Sequence, residues 1–145
     1  MMYDDNYFMK LALTEAKTAF EAGEVPIGAI VVQQNRVIGR GHNLTETLED
    51  ATAHAEMQAL TAASGTLGAK YLIDCTIYVT VEPCVMCAGA MSWTKISRLV
   101  YGASEPKFGY TQKAPTALHP KTEVLAGLMA DECSELMKRF FKDKR

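Results

Sequence analysis

Two short motifs constrain this chain more than any other feature of its sequence. The first is Thr52-Ala53-His54-Ala55-Glu56 and the second is Glu82-Pro83-Cys84-Val85-Met86-Cys87. Residues three apart on a helix lie on one face, with Cβ atoms about 5–6 Å apart. Two sulfurs on one tetrahedral zinc ion must lie roughly 3.8 Å apart, which side chains leaning in from Cys84 and Cys87 can reach. A helix start also favours thiolate over thiol. The second motif therefore predicts a pair of zinc ligands.

Adding His54 to this pair makes three protein ligands. Structural zinc sites usually have four, whereas three leave a position for water, as in catalytic sites. The remaining cysteines and histidines stand alone, without a zinc-like spacing: Cys75, Cys133, His42 and His119. A fourth ligand supplied by a loop stays open at this point.

Glu56 is the residue that turns a metal site into a candidate catalytic site. Two positions after His54 on a helix, it would point about 200° away. At a helix start, however, both side chains can border one cavity. An ion with two thiolates and a neutral imidazole acidifies water less than an all-histidine site does. A carboxylate that accepts the proton of the attacking water is therefore what hydrolysis needs there.

Composition limits the classes of protein to which the chain can belong. Its 145 residues, 48% of them hydrophobic, predict one domain over 1–145 with an apolar core. A net charge of −2 gives no general signature of polyanion binding, although Lys138, Arg139, Lys142, Lys144 and Arg145 crowd one end. That cluster is equally typical of a solvated helix end. Neither a signal peptide nor a membrane-spanning run is visible, so we expect a cytoplasmic protein.

Hydrophobic periodicity predicts helices that alternate with short strands. In chain order the predicted elements are a helix from a cap at Asp4 or Asp5 to a stop at Gly23, a strand over 27–32, its hairpin partner over 36–39, a loop over 42–51, a helix over 53–63 capped by Thr52 and ended before Gly65, a strand over 76–81, a helix over 84–93, a strand over 99–101, a long functional loop over 105–121, a short strand at 124–125 and a closing helix over 130–142. Strands separated by helices imply parallel neighbours, and the hairpin implies an antiparallel pair. We expect one mixed sheet with helices on both faces.

The motifs of this chain resemble those of a known family. The two zinc motifs match the cytidine deaminase-like superfamily, whose signature they share. The longer string Thr80-Val81-Glu82-Pro83-Cys84-Val85-Met86-Cys87-Ala88-Gly89-Ala90-Met91 is similar to bacterial tRNA-specific adenosine deaminases. Similar segments are Glu24-Val25-Pro26-Ile27-Gly28-Ala29 and Ala130-Asp131-Glu132-Cys133. The resemblance spans nearly the whole chain.

The resemblance implies a three-layer α/β/α cytidine deaminase-like fold with a mixed, mostly five-stranded sheet. It implies conversion of adenosine to inosine at the tRNA wobble position by a homodimer with one zinc ion per subunit. Glu56 would be catalytic, and the implied metal ligands are His54, Cys84 and Cys87. The residues assigned to the substrate are Asn43, Ala55, Glu82 and Pro83, where Glu82 has the alternative role of anchoring the turn before Cys84. Contacts with the anticodon stem-loop fall to Lys107, Phe108 and Lys113, and Tyr110 is a second aromatic that could stack on a base.

Two other functions stay open. A deaminase of free nucleobases or nucleosides, such as guanine or cytosine, would use the same zinc site. Segment 105–115 favours it, because Glu105 stands where the family commonly has Asp and Gln112-Lys113-Ala114-Pro115 replaces the usual Gly-Ser-Leu. The other possibility is a zinc-stabilised binding protein without catalysis, in which Glu56 would have no functional role.

Overall fold

The computed structural model describes residues 2–144, so that Met1 and Arg145, the last member of the basic cluster, lie outside it. Within that range, five helices and five strands form. The helices are α1 (Asp5–Glu21), α2 (Ala55–Leu67), α3 (Val85–Trp93), α4 (Tyr110–Lys113) and α5 (Ala130–Asp143), and the strands are β1 (Gly28–Gln33), β2 (Arg36–His42), β3 (Cys75–Val81), β4 (Arg98–Ala103) and β5 (Glu123–Ala126). None of the helices in the described range combines the length and apolarity that crossing a bilayer requires.

The strands form one mixed sheet in the order β2-β1-β3-β4-β5. Strand β1 pairs antiparallel with both β2 and β3, whereas β3–β4 and β4–β5 are parallel. The hairpin between β1 and β2 turns through Gln34 and Asn35, whose φ angles are 50° and 62°. Positive φ at both central residues matches the right-handed twist of the paired strands. The predicted mixed, five-stranded sheet is thereby confirmed.

Alternation along the central strands creates two apolar faces. In β1, Ala29 and Val31 point to one face, and Ile30 and Val32 to the other. Helices α2 and α3 cover the first face, and α1 and α5 cover the second. The molecule therefore has the three α/β/α layers that the resemblance implied.

Glycines in β2 allow α2 to lie close against the sheet. A Cβ atom on Gly39 or Gly41 would collide with backbone atoms of α2, at Ala59 and Ala63 for the former and at Ala55 and Ala59 for the latter. Only glycine permits this approach of backbone to backbone. Because α2 begins at Ala55, the packing at Gly41 positions the helix end that carries the first zinc motif.

Two of the predicted element limits are wrong for α2. Thr52 does not cap it, because the Thr52 hydroxyl donates to the Asp50 carboxylate at 2.7 Å, and the cap position belongs to His54. The helix also continues through Gly65 and ends at Gly68, which adopts the left-handed conformation with φ 63°.

Smaller differences concern two predicted loops. His42, placed in the loop over 42–51, is the last residue of β2. The loop over 105–121 contains α4 and a short 3₁₀ turn at Pro115–Ala117.

Candidate active site

Three metal-ligating side chains converge where two helices begin. His54 directly precedes α2 and Cys84 directly precedes α3, both in extended backbone conformation, and Cys87 lies in the first turn of α3. His54 Nδ1 is 3.6 Å from Cys84 Sγ and 3.5 Å from Cys87 Sγ. Within residues 2–144, these three residues form the single group of His, Cys, Asp or Glu side chains close enough to share a cation.

The spacing of this group fits tetrahedral zinc. With a Zn–N bond of about 2.05 Å and Zn–S bonds of about 2.3 Å, a tetrahedral ion holds nitrogen and sulfur about 3.6 Å apart. The separations of 3.5 and 3.6 Å agree with that distance. One imidazole and two sulfurs are also ligands that zinc prefers, and they leave one position for a ligand from outside the protein.

The two cysteine sulfurs hold their protons differently. A hydrogen bond from the Cys87 thiol, aided by His54 and by the Cys87 backbone N–H, lowers the pKa of Cys84 to about 4. The same hydrogen bond raises the pKa of Cys87, and burial and the Glu56 carboxylate raise it further. Cys84 therefore gives up its proton more readily than Cys87, and a bound cation would release the proton from Cys87 as well.

Glu56 lies in the first turn of α2, and only 4% of its surface is exposed. Burial, with the charge of Cys84 as a further cause, raises the pKa of its carboxyl group to about 7. Because His54 precedes the helix in extended conformation, the 200° separation of two helical positions does not apply. Glu56 and Cys87 shift each other's pKa, as groups at short range do.

Asn43 directly follows β2 and is 6% exposed. Its backbone N–H donates to the Ile27 carbonyl at 3.1 Å, but its side-chain Oδ1 is buried without a hydrogen-bond partner among the described residues. Buried polar atoms are seldom left in this state. The amide side chain is therefore free to bind a ligand through its donor and acceptor groups.

The other three residues assigned to the substrate are engaged within the protein. Ala55 is the buried first residue of α2, and the Pro83 backbone carbonyl accepts a hydrogen bond from the first residue of α4. One Glu82 oxygen accepts from the Glu105 N–H at 3.0 Å, and the other accepts from the N–H and hydroxyl of Thr111. Glu82 thus anchors the 105–111 segment, and contacts of these three residues with a substrate stay predictions.

Two of the residues assigned to nucleic acid line an open cleft. Lys107 and Phe108 form one wall of a cleft of about 960 Å³, and Lys138, Phe141 and Lys142 of α5 form the other. Phe108 is 64% exposed and Phe141 is also exposed. None of the three metal-ligating residues lines this cleft, but its residue Glu105 donates its backbone N–H to Glu82, two positions before Cys84. Its cations and exposed rings suit a single-stranded nucleic acid.

Two further expectations fall elsewhere. Lys113 ends α4 at the surface and does not line this cleft. Tyr110 is buried, so stacking of its ring on a base is excluded in this arrangement. Its ring packs instead in the apolar core on the α2 and α3 face of the sheet.

The sequence alone did not single out Glu24, which is fully buried. Its carboxylate accepts hydrogen bonds from the Glu46 N–H at 3.1 Å and from the N–H and hydroxyl of Thr47 at 2.7 and 2.6 Å. Burial raises the pKa of this carboxyl group, but the hydrogen bonds outweigh burial and the net pKa is lowered. The sequence signal that could have identified Glu24 is its position at the edge of an apolar run. A carboxylate buried there must be paired, because buried carboxylates are rare otherwise.

Comparisons with known proteins agree with this geometry. Residues 2–145 match the MafB19-like deaminase family. A protein of Agrobacterium fabrum named tRNA-specific adenosine deaminase is 44% identical over 150 residues, which cover 99% of this chain and 98% of the relative.

Two solved structures are similar as well. One, from a study of A-to-I editing by tRNA:A34 deaminases at the wobble position of transfer RNA, has a TM-score of 0.84 and 45% identity, and the match covers 90% of this chain and 98% of that one. The other, guanine deaminase of Bacillus subtilis, has a TM-score of 0.68 and 36% identity over 79% of this chain and 70% of that one.

Proposed function

Because the chain belongs to the family of tRNA-specific adenosine deaminases, we propose that it converts adenosine to inosine at the wobble position of tRNA. The reaction is a hydrolysis in which water adds to the amino-bearing carbon of the base, ammonia leaves, and a carbonyl group remains. The observation that supports this proposal most directly is the buried Glu56 in the first turn of α2, whose cap residue His54 converges with Cys84 and Cys87.

We assign His54, Cys84 and Cys87 as the protein ligands of one zinc ion per chain. A zinc ion held there would acidify the attacking water at the open coordination position. The spacing of the three donor atoms supports this assignment.

Glu56 is the proposed proton carrier. Its carboxylate accepts the proton of the attacking water and passes it to the ring nitrogen. It then carries the proton of the newly added hydroxyl group to the departing amine, so that ammonia leaves, a carbonyl group remains and the protons balance. The buried site around Glu56 keeps competing bulk water away from these transfers. Asn43 supplies the amide that hydrogen-bonds the base, which would satisfy its unpartnered Oδ1.

The RNA would lie along the cleft between Lys107 and Lys142. The anticodon stem-loop is the proposed partner, with phosphates near the lysines and an unpaired base on Phe108 or Phe141. Binding of phosphates releases counterions, so activity should fall as the salt concentration rises. We also propose a cytoplasmic location, because a tRNA substrate is available there.

A homodimer is part of the proposal. Trp93 at the end of α3 is 83% exposed, and Val85 lies on the same side of that helix, two turns earlier. Ile73 is also exposed. It lies near Trp93, because the backbone N–H of Leu72 donates to the carbonyl of Thr94. Exposed apolar groups of this size commonly mark an interface. A Trp93→Asp variant should elute as a monomer while the parent elutes as a dimer.

The test of the activity uses the zinc-loaded protein and a synthetic anticodon stem-loop. We expect inosine when adenosine occupies the wobble position and none when the adenosine is moved one position along the loop. Chelation should abolish the activity, and added zinc should restore it. Absence of inosine from a zinc-loaded, folded preparation would refute the proposed function.

A second candidate function is deamination of free guanine. The 36% identity to guanine deaminase of Bacillus subtilis favours it over other small-molecule reactions. Ammonia release from a panel of free purines and pyrimidines, measured beside the stem-loop, separates the two functions.

A further inference from the structure

We propose that Glu24 is a positioning residue, which holds the segment between Asn43 and His54 in the arrangement that presents the Asn43 side chain to the base. The inference rests on the proposed function, because it takes Asn43 as the residue that binds the substrate.

The segment over 44–53 joins two residues of the candidate site. It follows Asn43 and leads directly into His54, and its ends meet through a hydrogen bond from the Leu44 N–H to the Ala53 carbonyl at 3.0 Å. A shift of this segment would therefore move groups on both sides of the site.

Glu24 provides the side-chain hydrogen bonds that tie this segment to the rest of the protein. Within residues 2–144, no other side chain outside the segment forms a hydrogen bond to it. The bonds from Glu46 and Thr47 reach a carboxylate without exposure to water, where charge-assisted hydrogen bonds are strong.

Backbone hydrogen bonds near Glu24 connect α1 to Asn43. The Glu24 N–H donates to the Ala19 carbonyl of α1 at 2.9 Å, and three residues later the Ile27 carbonyl accepts from the Asn43 N–H at 3.1 Å. Residues 24–27 thus hold Asn43 through a backbone hydrogen bond, and they hold the turn after it through the buried Glu24 carboxylate. The chain around this turn is therefore attached to residues 24–27 in two places, and one of these attachments is the Glu24 side chain alone.

The matched test compares Glu24→Gln with Glu21→Gln. The glutamine at position 24 keeps the size of the side chain but turns an NH₂ group toward an N–H donor. Glu21 is the exposed last residue of α1, and its side chain makes no hydrogen bond in the described part of the chain. Hydrogen exchange of peptides over 43–53 should be about tenfold faster in Glu24→Gln and unchanged in Glu21→Gln, since only the first change removes charge-assisted hydrogen bonds that keep this segment closed.

The kinetic test is a double-mutant cycle with Asn43→Ala, measured on the stem-loop under single-turnover conditions with zinc content matched. Glu24→Gln alone should lower kcat/KM by about tenfold to a hundredfold, the range expected for misplacement by about 1 Å. In the Asn43→Ala background the same change should cost less than about threefold, because the positioned group is gone.

Three outcomes would overturn the inference. The first is that the losses of kcat/KM from Glu24→Gln and Asn43→Ala multiply in the double variant. The others are that added zinc restores the activity of Glu24→Gln, or that its hydrogen exchange over 43–53 is as slow as in the parent. The exchange measurement does not depend on substrate. A wild-type protein that deaminates only free guanine would refute the proposed function, and the cycle would then be run with guanine.

Discussion

Replacement of Gly41 by alanine tests whether close packing of β2 against α2 positions the active site. The added Cβ atom would lie less than 3.0 Å from three atoms of α2, which include the Ala55 carbonyl oxygen and the Ala59 backbone nitrogen. Backbone cannot rotate away as a side chain can, so the start of α2 must retreat by about 1 Å to restore contact distances. Overpacking of this kind costs about 2–3 kcal/mol.

For a chain of this length, that cost should lower Tm by about 5–12 °C. The retreat also displaces the helix end next to His54 and Glu56. We therefore expect kcat/KM for the stem-loop to fall by about a hundredfold at a temperature where the variant is still folded. Differential scanning calorimetry gives the first quantity and single-turnover kinetics give the second.

Gly65→Ala is the matched control on the same helix. A Cβ atom at Gly65 would meet nothing within 4 Å, and alanine stabilises a helix interior by about 0.5–1 kcal/mol relative to glycine. Its Tm should rise slightly and its activity should equal the parent's. If Gly41→Ala behaved like Gly65→Ala, the claim that this contact positions the site would be wrong.

Three further predictions concern carboxylates. Glu56→Gln should keep zinc and Tm but lower kcat by about 10²–10⁴-fold, as expected for loss of a proton carrier; zinc analysis with single-turnover kinetics checks this, and retained activity would contradict the proposed role. Glu82→Gln should lower the free energy of unfolding by about 2 kcal/mol, since the amide cannot accept from both Glu105 and Thr111; urea unfolding measures it, and an unchanged midpoint would contradict the anchoring role. The hydrogen bonds from Arg98 lower the pKa of Asp5 from 3.8, so its contribution to stability is complete above about pH 4 and is lost as pH falls through the lowered pKa. Asp5→Asn should therefore be less stable than the parent at pH 7, with the deficit shrinking toward pH 3 in urea unfolding curves; a constant deficit would refute it.

Local patterns sufficed for much of the fold. An apolar run rich in β-branched residues identified β1, alternation identified β3, and the turn residues between β1 and β2 identified the hairpin. The start of α2 was predicted wrongly because Thr52 is a good cap by propensity. Its hydroxyl bonds to Asp50 instead, and the residue at the cap position is the one whose ring meets the two cysteines. Tertiary contacts there outweigh a preference of about 1 kcal/mol.

The chemistry of the candidate metal site is local in sequence. The spacing of Cys84 and Cys87 on one turn of helix, with a histidine and a glutamate two residues apart, determined both the donor set and the candidate base. Each of those choices depends on residue type and short-range geometry, which the order of amino acids contains directly.

The environment of the site was decided only by the tertiary structure. That Glu24 bonds a turn more than twenty residues away, that the Asn43 oxygen is buried without a partner, and that Lys107 and Lys142 face one cleft depend on how distant segments pack. Burial and unsatisfied hydrogen bonds are properties of the surroundings of a side chain, and no local pattern specifies those surroundings.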